Sequence, residues 1–292
     1  SRMHTKRKGE KIEMNYLLFN PLARNGQGQK MKEEAKIALE EKYPNLKELN
    51  VLEINQEEFV NNILPEDRII LVGGDGTLNH LANALKGHSL EASFYLYRAG
   101  TGNDFLRDIH ENGNVVLLNP YLENLPKVKI NGKETYYING IGFGIDGMVC
   151  EVADALKAKG VTDINYTAIA IKLLLTKYKC PNAKVLVDGK ELNFKKVWFA
   201  SAMNGQYYGG GMMVAPKQDR LSDKLSFVIM RKACRLNALL TFSKIFKGEH
   251  LKKKKYCTLI EAKHIEVTFD RPTALQIDGE VVSNVTHYEA WK

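Results

Sequence analysis

Between Tyr16 and Tyr97 the chain alternates short apolar runs with helical segments, and few folds accept that rhythm. Tyr16-Leu17-Leu18-Phe19 is a strand-like run closed by Asn20-Pro21. Met31, Ala35, Ala38 and Leu39 recur at helical spacing and predict a helix over 30–43. Residues 49–54 predict a second strand and 59–64 a short helix. Arg68-Ile69-Ile70-Leu71-Val72 is a buried-strand run. A helix over 77–86 and a strand at Phe94-Tyr95-Leu96-Tyr97 follow. A strand–helix–strand repeat implies a parallel sheet, because each helix carries the chain back to the start of the next strand. The rhythm stops near Asn119-Pro120.

From Tyr121 onward the pattern is that of hairpins. Val128-Lys129-Ile130 leads through Asn131-Gly132 to a strand at 135–138, and Val185-Leu186-Val187 leads through Asp188-Gly189 to one at 191–194. Further strands are predicted at 197–202, 225–230 and 265–269, with helical regions at 148–178 and 236–246. The expected architecture is an α/β N-terminal domain with a parallel sheet, followed by a mainly antiparallel β domain. Residues 1–13 read as a leader or disordered tail, 14–120 as the α/β domain and 121–292 as the β-rich domain, with its C-terminal end returning to the first.

The 292 residues fit about two domains. Of the net charge of +8, residues 1–13 contribute five basic side chains against two acidic ones. The remaining excess is mild and lacks the aromatic-basic interleaving of a nucleic-acid module, so nucleic acid is not an expected partner. Cys150, Cys180, Cys234 and Cys257 are isolated, which argues against a zinc site and for reduced thiols in a cytoplasmic protein. No apolar stretch is long enough to span a bilayer.

Three loops carry chemistry. Gly73-Gly74-Asp75-Gly76-Thr77 lies between a buried strand and a helix. Glycines there let backbone N–H groups and a helix N-terminus approach a phosphate, with Asp75 placed to hold Mg²⁺ or orient the phosphates; a plain turn capped by Thr77 is the competing reading. Gly100-Thr101-Gly102-Asn103-Asp104 repeats the arrangement, with Asn103 and Asp104 suited to a base, ribose or phosphate. Asn20 ends the first strand, on the edge where open α/β sheets bind ligands. Gly142 to Gly147 matches GxGxxG but lacks a parallel frame and reads as a tight turn beside a cleft. Asp278-Gly279-Glu280 alone is a hairpin turn; Glu280 gains a role only if that turn faces the glycine loops.

In this order, Asn20-Pro21, the 73–77 loop, the 100–104 loop, the 142–147 turn and Asp278-Gly279-Glu280 resemble the diacylglycerol kinase catalytic-domain family, in particular its bacterial lipid kinases. The resemblance covers nearly the whole chain from Met14. Soluble NAD kinases share the first glycine motif. The resemblance implies a nucleotide-binding α/β domain, a β-sandwich domain, and an active site in the cleft between them. It implies transfer of the ATP γ-phosphate to a lipid hydroxyl, diacylglycerol by default, to give phosphatidic acid. By that pattern Asp75, Gly73, Gly74, Gly76 and Thr77 handle the phosphates and Mg²⁺. Asn20, Gly100, Thr101, Gly102, Asn103 and Asp104 bind nucleotide, and Glu280 is the general base. Asp223, with the backbone of Leu225, matches a structural Mg²⁺ site. Lys224 stands where a glycine commonly follows that Asp, and Arg98 replaces a usual proline.

A lipid substrate requires contact with a membrane. Lys252-Lys253-Lys254-Lys255, after the apolar 236–246 stretch and Lys247, together with Arg231, Lys232 and Arg235, suits an anionic surface at the inner face of the membrane. A solvated basic hairpin is the other reading. A homodimer is compatible with an exposed β-rich domain. An NAD kinase and a binding protein without turnover are the alternative functions.

Overall fold

A computed structural model of the chain describes residues 12–99 and 103–292. They form two compact units. The first runs up to residue 102 and includes His110–Glu123; the second holds Asn103–Ile109 and Asn124–Lys292.

In the first unit, β1 (Asn15–Phe19), β2 (Lys47–Asn50), β3 (Arg68–Val72), β4 (Ser93–Tyr97) and β5 (Val115–Leu117) form one sheet in the order β2-β1-β3-β4-β5. The first four are parallel and β5 closes one edge antiparallel. The helices of this unit include the single turn α1 (Ala23–Gly26), α2 (Gly28–Leu39), α3 (Gln56–Asn61) and α4 (Asp75–Ala84). Met31, Ala35 and Leu39 of α2 pack on Leu17, Phe19, Ile70 and Val72, so three of the four residues of the predicted stripe are buried, while Ala38 is exposed. Element ends follow local chemistry. The Asn50 carboxamide accepts the Leu52 N–H at 2.9 Å and ends β2 before the predicted 54. Asn55 Oδ1 accepts the Glu58 N–H at 3.1 Å and starts α3 earlier than expected.

The second unit opens with the short helix α5 (Asp104–Asp108); α6 (Asn119–Leu122) belongs to the first. Its strands are β6 (Lys127–Ile130), β7 (Lys133–Tyr136), β8 (Gly140–Gly144), β9 (Ala183–Val187), β10 (Lys190–Phe194), β11 (Val197–Met203), β12 (Tyr207–Tyr208), β13 (Met212–Met213), β14 (Leu225–Arg231), β15 (Cys257–Ala262), β16 (His264–Ile277) and β17 (Glu280–Trp291). Ten of them join one antiparallel sheet in the path β15-β14-β11-β8-β16-β17-β6-β7, with β9 and β10 branching from β16. β16 is the corner. Its first part pairs with β9 and its last with β8, and its register against β17 shifts between Thr268 and Leu275. Bulges bend a strand, so the sheet folds over on itself. Phe143 of β8 then stacks on Phe269 of β16 at 3.8 Å inside the core.

The helices of this unit are α7 (Ile145–Ala158), α8 (Tyr166–Lys172), which continues into a π-helical turn at Leu173–Lys177, and α9 (Arg235–Ser243). The region 148–178, predicted as continuously helical, breaks at Gly160 (φ +87°). It restarts where Asn165 Oδ1 accepts the Ala168 N–H.

One expectation is corrected. Gly142 to Gly147 is not a tight turn: its first half ends the fully buried strand Gly140–Gly144, which lies antiparallel to both β11 and β16, and its second half opens α7. Glycine is required at Gly144, where φ is +130° and an added Cβ would lie 2.4 Å from the Trp198 carbonyl oxygen.

Candidate active site

In the first unit, β3 runs into Gly73, where an added Cβ would lie 2.6 Å from Thr77 Cβ and Oγ1. Only glycine lets the chain pass that side chain. Gly74 is the N-cap of α4 and offers no capping side chain. Added Cβ atoms at Gly74 and Gly76 would meet nothing within 4 Å. The space beside the first amides of a ten-residue helix is therefore open, which is what an anionic group needs to reach them. Asp75, half-buried, opens the helix.

Asn20 follows β1 on the same sheet edge. Its Oδ1 accepts the Leu22 N–H at 2.9 Å, and its carbonyl would lie 1.8 Å from a Cβ at Gly28. Arg24 and Asn25 take left-handed backbones, at φ 50° and 58°. Between these loops lies a cavity of about 160 Å³. Leu18, Val51, Leu71 and Leu81 form apolar walls; Asn20, Gln56, Thr77 and His80 bring polar groups. The structure thus brings together Asn20 and the 73–77 turn. Gln56 and His80 were missed. Gln56 was readable as the residue after the Asn55 cap, and His80 as lying one helical turn beyond Thr77.

Of the second loop, Gly100, Thr101 and Gly102 lie outside the described residues. Asn103 and Asp104 belong to the second unit. Asn103 Oδ1 caps α5 by accepting the Leu106 N–H at 2.7 Å, while its buried Nδ2 meets no partner among the described residues. Asp104 accepts from Arg107 Nη1 at 2.6 Å and from the Gly210 N–H at 2.9 Å.

Glu280 is exposed at the start of β17, in a turn with φ 50° at Asp278 and 91° at Gly279. Asp278 is buried and fixes that turn. Its carboxylate accepts the N–H groups of Ile138 at 2.7 Å, Asn139 at 2.8 Å and Gly140 at 3.1 Å. Asn139 Oδ1 in turn accepts from Arg220 Nη2 at 2.9 Å, and Arg220 Nε bonds Asp108 at 2.5 Å. A buried chain of bonds therefore ties α5, which carries Asn103 and Asp104, to the turn that carries Glu280. Arg220, Asp108 and Asn139 were also missed. Partners this far apart in sequence leave no local signal.

Asp223 is exposed and pairs with Lys263 Nζ at 2.9 Å, and that ammonium lowers its pKa. Leu225 is buried, in register with Ala262. Asp223 joins no group of three metal-ligating side chains among the described residues. Its carboxylate faces the Lys263 ammonium, which a metal ion at this position would have to displace. The first unit's turn does fit a Mg²⁺–triphosphate, by its open amides and the carboxylate at its mouth. Lys252 to Lys255 are exposed, and no helix among the described residues is long and apolar enough to cross a membrane.

A parallel α/β unit with a glycine turn at its sheet edge, followed by a folded-over antiparallel sheet, is the architecture of diacylglycerol kinase-like enzymes. Residues 15–124 match the family described as "Diacylglycerol kinase catalytic domain", and residues 139–289 match "YegS C-terminal NAD kinase beta sandwich-like domain". The second match alone spans more than half of the chain, which belongs to that family, with the diacylglycerol kinase catalytic domain ahead of it. It is 27% identical over 242 residues to "Putative lipid kinase SH2167" of Staphylococcus haemolyticus (strain JCSC1435), covering 78% of this chain and 73% of that protein. It is 24% identical to "Putative lipid kinase SAR0780" of Staphylococcus aureus (strain MRSA252), at 78% and 74% coverage. The crystal structure of a "putative diacylglycerol kinase" from Bacillus anthracis str. Sterne shares the fold, with a TM-score of 0.69 at 21% identity, covering 97% of this chain and 94% of that one.

Proposed function

We propose that this chain is an ATP- and Mg²⁺-dependent lipid kinase that phosphorylates the hydroxyl of a lipid alcohol, with diacylglycerol the first candidate. The observation that carries the reading is the open glycine turn at the start of α4 beside the cavity at the ends of β1 and β3. In this reading Leu18, Val51, Leu71 and Leu81 wall the base, while Asn20, Gln56, Thr77 and His80 orient it and the ribose. Amides at Gly74 and Gly76 hold the phosphates, and Gly73 keeps the turn tight. Residues 100–104 contribute a second nucleotide contact through Asn103 and Asp104. Asp75 is the oxygen ligand for Mg²⁺, which when bound supplies charge neutralisation on the phosphates. Glu280 accepts the proton of the acceptor hydroxyl as its oxygen bonds to the γ-phosphorus and ADP leaves. The product is a phosphomonoester of the lipid. Asp278 holds the turn that aims Glu280.

The test is ATP consumption with Mg²⁺ against a panel of lipid alcohols in mixed micelles, with NAD as the competing acceptor. Turnover with a lipid and none with NAD is expected; the reverse overturns the reading. Asp75→Ala should remove turnover with an unchanged fold by circular dichroism. Equal rates in wild type and variant at saturating Mg-ATP sink the role of Asp75.

A further inference from the structure

The second unit exposes apolar surface unevenly. Of the thirteen large apolar side chains exposed among the described residues, eight lie between 161 and 246, and seven of these are on or beside the helical segments there: Val161, Tyr166, Ile171, Leu175, Leu236, Leu240 and Phe246, with Leu221 apart from them. Leu236 and Leu240, at 64% and 54% exposure, are one turn apart on the outer face of α9, and Phe246 follows at 47%. The opposite face of α9 packs into the core through Ala238 and Phe242, as does Ile245 just after it. Ile171 and Leu175 make the same one-turn pair on α8 and its π-helical extension.

These elements form one layer. Arg235, at the start of α9, donates to the carbonyls of Leu174 at 2.6 Å and Tyr178 at 2.9 Å, which staples α9 to the π-helical turn. The 3-10 turn His250–Lys252, from which the four lysines leave, lies beside α9. Around the apolar side chains, residues 166–179 and 231–256 carry twelve basic side chains against one acidic one, Glu249.

We propose that this face is the surface on which the protein docks to an anionic bilayer: Leu236, Leu240 and Phe246 enter the headgroup–acyl boundary, and the lysines contact lipid phosphates. The proposal rests on the lipid kinase reading for its purpose and adds to it the element that meets the membrane. Charge selects the occupant. A second copy joined about a two-fold axis would set this patch against itself, lysines facing lysines. An anionic leaflet complements both the apolar centre and the basic rim.

The experiment is co-sedimentation with vesicles of phosphatidylglycerol and phosphatidylcholine in equal parts, compared with phosphatidylcholine alone. Wild type should partition to the anionic vesicles, less so as salt rises. Replacing Leu236, Leu240 and Phe246 together with Ser should lower the partition coefficient about tenfold or more. All three side chains are exposed, so the variant should unfold at the wild-type midpoint. Ile37→Ser, in α2 of the first unit and 80% exposed, should leave partition unchanged. Replacing Lys252, Lys253, Lys254 and Lys255 with Gln should flatten the salt dependence. Wild-type partition by the triple Ser variant overturns the proposal. So does a wild-type dimer that the triple variant converts to monomer by light scattering, which would assign the face to self-association. Turnover of a short-chain, water-soluble acceptor should be equal in wild type and the triple variant. If wild type turns over no lipid alcohol yet the triple variant loses vesicle binding, the docking face stands and the kinase reading falls.

Discussion

The turns at Asp188-Gly189 and Asp278-Gly279 are built alike. Each joins two antiparallel strands, with both central residues at positive φ: 48° and 81° in the first, 50° and 91° in the second. Both aspartates accept backbone N–H groups across the fold. Asp188 Oδ1 takes those of Lys263 at 3.0 Å and His264 at 2.9 Å, at an exposed position. Asp278 is buried and takes three, from Ile138, Asn139 and Gly140. The residue that follows is Lys190 in one turn and Glu280 in the other. The same local code makes an ordinary hairpin in one place. In the other it makes a rigid mount for a carboxylate, because β8 enters the sheet beside it.

The largest expected difference concerns the residue after each glycine. Glu280→Gln should lower kcat about 10²–10⁴-fold while nucleotide affinity is nearly kept, since a general base acts on the proton in flight and not on the ground-state phosphates. Lys190→Gln should leave kcat at the wild-type value. A Glu280→Gln variant that keeps a tenth or more of wild-type kcat, by about the same scale, makes the two turns equivalent.

A smaller contrast lies in stability. Asp278→Ala orphans three buried N–H donors and should cost about 3 kcal/mol; Asp188→Ala, where water replaces the carboxylate, should cost about 1 kcal/mol. Urea unfolding midpoints at unchanged slope measure both. Equal losses would mean that the buried junction contributes no more than the exposed one.

Much of this was legible beforehand. The strand–helix rhythm and the 73–77 turn are local signals, and local chemistry kept them where they were expected. The Asp-Gly hairpins were legible for the same reason, since few residues accept positive φ. What could not be read is what pairs across the fold. Gly142 to Gly147 looks like a turn because glycines are turn-formers, yet its first half is strand, where Gly144 admits the Trp198 carbonyl at close range. The bend of β16 leaves only Pro272 in the sequence as a trace. Asp108 and Arg220 are 112 positions apart, and neither carries a motif. Asp278 was readable as a turn residue and not as the acceptor that anchors Glu280.

The smallest effect sharpens the comparison through pH. Lys292 Nζ donates to Asn204 Oδ1 at 2.8 Å and to the Arg220 carbonyl at 2.6 Å. Asn204 Nδ2 in turn donates to the Ile138 carbonyl at 2.9 Å, so this lysine belongs to the Asp278 junction. Burial, with the Arg220 charge nearby, pulls its pKa from 10.5 down to about 8. Between those two values the folded chain holds fewer protons at this site than the unfolded chain. Raising the pH through that window therefore favours the fold, whereas below pH 8 the cost of the buried charge is carried in full. Lys292→Met removes the titrating group and leaves every other lysine and tyrosine in place. The stability of wild type relative to this variant should rise by about 1–2 kcal/mol from pH 8 to 10.5, less than the full shift because the ammonium is partly exposed and screened. Urea unfolding of both proteins across that range measures the difference. Parallel profiles would mean that Lys292 stays charged and solvated in the fold, and that the junction around Asp278 ends at Asn204.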